Sequence, residues 1–103
     1  LHRAGRRVNE PACIGVLSVV FHLDGCRSLK ERRGRLGGLR DRFGRNPRLA
    51  LCEAPGDDPT RSLWTFVALA GDRRDVDRLL GEVERDLEAR VDAVVVDLER
   101  AHL

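Results

Sequence analysis

A chain of 103 residues holds one domain of ordinary size, which excludes a two-domain enzyme, a dinucleotide-binding unit with its own substrate domain, and an eight-fold β/α barrel. Apolar residues at 42% and charged residues at 35% exclude a disordered chain and a membrane span alike. The net charge of +2 is too small to argue by itself for a nucleic-acid partner.

Residues 1–11 read as an N-terminal tail, partly foreign to the natural chain, and residues 12–100 as the domain. Arg3, Arg6 and Arg7 lie in the tail with no apolar stretch beside them, so it is not a secretory signal. Cys13 to Leu23 is β-branched and apolar and predicts a strand. Leu17, Val19, Phe21 and Leu23 share one face; Val16, Ser18, Val20 and His22 share the other. Asp24-Gly25 predicts a turn. Ser28-Leu29-Lys30-Glu31 has the form of a capping box, with Ser28 accepting from the Glu31 amide and the Glu31 side chain reaching back. One helix is expected from there to Phe43 on the stripe Leu29, Leu36, Leu39 and Phe43. Gly34, Gly37 and Gly38 weaken it by up to ~1 kcal/mol each.

Arg48 to Ala54 predicts a second strand, 55–61 a loop, and Ser62 to Ala70 a third strand paired with the second as a hairpin. Asp72 is the expected N-cap of a second helix. Its apolar stripe is Val76, Leu79, Leu80, Val83 and Leu87, the cleanest helical pattern in the chain. Ala93 to Glu99 predicts the fourth strand. The order β-α-β-β-α-β predicts an α+β, ferredoxin-like split βαβ sandwich: a four-stranded antiparallel sheet with both helices on one face.

At this point the chain resembles the bacterial YlxP-like family, a domain of unknown function. The resemblance spans about residues 13–99. It rests on IGVLSVVFHL in the first strand, the following D-G-C-R-S-L-K-E-R-R, the strand end Cys52-Glu53-Ala54, and the G-D-x-x-x-V-x-x-L-L-x-x-V-E of the second helix. The family pattern Asp-x-Trp-Gln-Arg before the third strand corresponds to Asp57–Arg61. Arg61 matches there, but Pro59 stands in place of the Trp, and Trp64 lies inside the strand. The resemblance implies a ferredoxin-like domain. It also implies a genetic neighbourhood shared with translation initiation factor two and ribosome-binding factor A.

The charge is unevenly spread. Arg27, Lys30, Arg32, Arg33, Arg35, Arg40, Arg42, Arg45 and Arg48 face only Glu31 and Asp41 between residues 27 and 48, whereas acids outnumber arginines between 72 and 100. Lys30 is the sole lysine in an arginine-rich chain. A helix N-terminus attracts anions, so the candidate anion- or RNA-binding residues are Arg27, Ser28, Lys30, Arg32, Arg33, Arg40 and Arg61. A capped, solvated helix explains the same residues. Docking to an acidic protein surface, or a small molecule at the 24–28 turn, are the other readings.

His22 and Cys26 suggest thiol chemistry only weakly, since no Asp or Asn is placed to orient the imidazole. Asp57-Asp58 reads as a turn. Neither face of the first and third strands is polar, and the aromatic motif of RNA-recognition sheets is absent. The outer face, with Val16, Ser18, Val20 and His22, is therefore expected to be covered by a second copy in a homodimer. Cys13, Cys26 and Cys52 form no C-x-x-C pair and suit a reducing cytoplasm. No apolar run reaches the ~18 residues of a membrane helix. The expectation is a non-enzymatic cytoplasmic domain without cofactor or metal, with ribosomal or other structured RNA as its first partner.

Overall fold

The computed structural model describes residues 12–103. The tail at 1–11, with Arg3, Arg6 and Arg7, lies outside the described residues. The elements are β1 (Cys13–His22), α1 (Leu29–Leu36), α2 (Gly38–Phe43), β2 (Leu49–Glu53), β3 (Arg61–Ala70), α3 (Arg73–Arg90) and β4 (Val94–His102). The sheet order is β2-β3-β1-β4, with every neighbouring pair antiparallel. That order, with two βαβ crossovers packed on one face, is the ferredoxin-like sandwich.

One core joins the inner sheet face to the helices. β1 contributes Leu17, Val19 and Phe21. β3 contributes Trp64, Phe66, Ala68 and Ala70, and α3 its whole predicted stripe. Asp72 caps α3 by accepting from the Asp75 amide at 2.9 Å. Gly15 lets α3 approach β1: a Cβ there would lie 2.5 Å from Val76 Cγ1 and 3.0 Å from Leu80 Cδ1. Val76 is stiff at χ1 and cannot swing away cheaply. Gly15→Ala should therefore lower stability by about 1–3 kcal/mol through overpacking, read as a fall in the denaturation midpoint.

The first predicted helix is divided in two. Gly37 separates α1 from α2 while keeping helical dihedrals, φ −61° and ψ −27°, in a stretch where three glycines in five residues weaken the helix. Leu36 and Leu39 are buried on either side of Gly37, and Phe43 packs edge-on against Phe66 with ring centroids 6.0 Å apart. The broken helix still delivers its apolar stripe.

The fourth strand runs to His102, beyond its expected end at Glu99. A bulge opposite Val20 and Phe21 shifts its register, with Val96 as the extra residue. Beyond the bulge, Leu98, Arg100 and His102 share the helix side with Leu17 and Val19, while Asp97, Glu99 and Ala101 face outward. Arg100 thus reaches Glu84 and Asp77, and His102 Nε2 lies 2.8 Å from Asp77. These contacts fasten the end of β4 to α3.

Candidate functional site

The turn into α1 is closed by its own polar groups. Gly25 takes a positive φ of 70°, which allows the tight reversal after β1. Ser28 is extended and its hydroxyl accepts from the Glu31 amide at 3.0 Å. The Glu31 carboxylate lies 3.8 Å from Arg35. Cys26 is buried in the core and its thiol donates toward the Ser28 carbonyl at 3.5 Å. His22 is exposed on the outer sheet face. The thiol and the imidazole are thus separated between core and surface and make no catalytic pair.

The two adjacent arginines of S-L-K-E-R-R have opposite fates. Arg32 is buried at 6% exposure. Its guanidinium donates to the carbonyls of Asp58 at 2.7 Å, Arg61 at 3.0 Å and Gly56 at 3.2 Å. Its Nε lies 3.4 Å from the Glu53 carboxylate. Glu53 accepts from the Ser62 hydroxyl, which accepts from Trp64 Nε1 at 2.9 Å. Arg32 therefore leaves the candidate anion-binding set. It is a strut that holds the β2–β3 loop against α1, and its planar fork of donors suits three convergent carbonyls.

The same loop contains the predicted Asp57-Asp58 turn. Asp58 accepts from the Thr60 amide at 2.9 Å and hydroxyl at 2.7 Å. Those two bonds, the hydroxyl first, hold its carboxyl below the usual carboxylate range, and Arg32 and Arg61 add to the effect. This contribution to stability is present above the ordinary carboxylate pKa and is lost as pH falls through the lowered value.

Arg61 also leaves the helix-side set. It stands opposite His22 in the β1–β3 register, so its side chain belongs to the outer sheet face. Two further basic residues of the 27–48 segment are held by carboxylates. Arg42 makes a forked contact to Asp86, with Nε at 2.9 Å from both oxygens, and Arg35 pairs with Asp92 at 3.2 Å.

Six basic residues of the segment remain exposed: Arg27, Lys30, Arg33, Arg40, Arg45 and Arg48. None of them makes an ion pair with a described carboxylate, whereas the α3 acids Asp75, Asp77, Glu82 and Glu84 are all paired. Arg33 and Arg40 border a groove of about 240 Å³ between the helices and the sheet edge, lined also by Leu36, Gly37, Glu53 and Trp64. The Arg40 guanidinium lies 5.2 Å from the centroid of the Trp64 ring, a cation–π contact that covers the indole. The groove was not legible in sequence, because Trp64 and Arg40 are brought together only by packing.

Of the expected interface residues, Val16 and Ser18 are half-buried and His22 is exposed on the outer face. Val20 is nearly enclosed at 9% exposure, so it offers less contact area than expected. Its cross-strand neighbours Leu63 and Asp97, with the bulged Val96, surround it. No helix among the described residues is long and apolar enough to cross a membrane.

Comparison with known proteins gives a family and no activity. No curated protein matches the chain. A solved structure described as "De novo designed protein Ferredog-Diesel" is similar at 14% identity and a TM-score of 0.38, covering 98% of each chain. The model of the family described as "Protein of unknown function (DUF503)" matches residues 14–100, and the chain belongs to this family.

Proposed function

We propose that the chain is a YlxP-like, non-enzymatic cytoplasmic domain that meets structured RNA through the exposed basic surface of α1 and α2. The observation that carries this reading is the sorting of charge. Arg78, Arg90 and Arg100 of α3 and β4 are matched to carboxylates, while Arg27, Lys30, Arg33 and Arg40 gather on one segment, exposed and without a described acidic partner. Phosphate contacts need flexible, solvated cations at a surface and no base-specific geometry. The small-molecule reading at the 24–28 turn is less well supported, since the Ser28 hydroxyl, the Glu31 amide and the Cys26 thiol are already bonded to one another or to backbone.

Charge reversal tests the proposal. Lys30→Glu combined with Arg33→Glu should weaken binding to different RNA sequences alike and should leave the fold intact, because both side chains are exposed. Loss of two phosphate contacts should also flatten the slope of log affinity against log salt by about 1.4 on single-stranded RNA. Unchanged RNA affinity in this variant would move the contact elsewhere. A wild-type chain that binds an acidic protein but no RNA would favour the docking reading.

A further inference from the structure

We infer that the outer sheet face is the interface of a twofold homodimer whose axis runs along the strands. Four of the six exposed large apolar residues lie on this face: Leu63 at 41%, Leu69 at 45%, Val94 at 59% and Val96 at 55%. Ile14, Val16, Val20, Val67 and Ala50 fill the positions between them. At a strand spacing of ~4.8 Å and a rise of ~3.3 Å per residue, four strands of this length present about 600 Å² per copy. Two such faces exceed the roughly 1,000 Å² total that a specific interface requires.

The charges at the margins select the second copy as occupant. Asp97 and Glu99 project along β4 at one side of the face, while Arg61 on β3 and Arg48 just before β2 mark the other side. A twofold axis parallel to the strands lays the β4 column of each copy over the β2–β3 half of its partner. Acidic margin then meets basic margin twice, and the apolar centre is enclosed. An axis across the strands would set β4 on β4 and acid on acid. The same parallel arrangement brings Leu103, 85% exposed beyond β4, toward the end of the partner's sheet. There Ile14, Pro47, Arg48, Ala50, Val67 and Leu69 line an apolar depression of about 220 Å³, enough to seat an aliphatic side chain.

Sedimentation of the full chain at micromolar concentration, free of nucleic acid, should give twice its 11.6 kDa mass. Leu63→Lys with Leu69→Lys should raise the dissociation constant about a hundredfold by setting like charges in the apolar centre. Should that variant lose its fold by circular dichroism, the charge pair provides the test. Asp97→Arg alone and Arg61→Glu alone should each weaken the dimer, and the two together should restore it. A wild-type chain that stays monomeric overturns the inference. So does a dimer indifferent to the Leu63 and Leu69 changes in folded protein, or one whose charge-reversed double variant is no tighter than the singles. None of these changes touches the α1–α2 surface, so the outcome is independent of RNA binding.

Discussion

Replacing Arg32 by alanine should cost about 3–5 kcal/mol, the range for removing one partner of a buried ion pair. The reason is what the missing guanidinium leaves behind. The carbonyls of Gly56 and Arg61 lose the guanidinium as donor, the Asp58 carbonyl keeps only the Arg61 amide at 3.3 Å, and the Glu53 carboxylate loses its nearest cation. Desolvated acceptors without partners are expensive. Arg32→Lys should recover only part of the loss, because an ammonium cannot match three carbonyls with a planar fork. Adding Glu53→Gln to Arg32→Ala should cost less than the sum of the single changes, since it removes the stranded charge. Chemical denaturation of the four proteins measures this directly. A stability loss below about 1 kcal/mol for Arg32→Ala, typical of an exposed ion pair, would contradict the buried assignment.

The second large effect is expected in the apolar core. Leu80 is fully buried and sits between Val76 and Val83 on the α3 stripe, above Gly15. Leu80→Ala should cost about 2–5 kcal/mol, from lost transfer energy and the cavity that remains. The nearby Gly15 modifies the outcome. In a Leu80→Ala background, Gly15→Ala should be less damaging than in the wild type, because one of the two side chains that its Cβ would meet has gone. Additive losses would mean that the close approach of α3 to β1 rests on Val76 alone.

Much of the architecture was legible because its determinants are local. The α3 stripe, its Asp72 cap and the alternation of β1 and β3 each occupy a few consecutive residues and are present, while of the capping box only the Ser28 half forms, the Glu31 carboxylate lying toward Arg35. The helix break at Gly37 is visible in the sequence as a weakness, but sequence alone does not say which of the three glycines divides the helix. The β4 bulge was hidden, because an uninterrupted alternation through Val94, Val95 and Val96 is equally acceptable locally. Only pairing with β1 sends Arg100 and His102 to the helix side.

Arg32 departs furthest from its sequence expectation, being buried where an exposed cation is expected. The stripe Leu29, Leu36, Leu39, Phe43 has a gap of seven residues at its start, and Arg32 fills it at the helical spacings of three and four. A charged residue in an apolar stripe was the signal for a buried role. The surrounding cluster of arginines obscured it, and its acceptors come from a loop more than twenty residues away. The candidate surface was legible as composition, as nine basic residues in one segment. Which of them remain exposed depends on the ion pairs to Asp86 and Asp92, which only the fold reveals.

An RNA surface on α1 and α2 is tested by the affinity of the wild-type chain for a structured RNA as a function of salt. If Arg27, Lys30, Arg33 and Arg40 each neutralise one phosphate, log affinity should fall with log salt at a slope of about −3, and the Lys30→Glu/Arg33→Glu protein should show about half that slope. No detectable RNA binding at low ionic strength, or binding whose affinity does not change with salt, would mean that α1 and α2 are not an RNA surface.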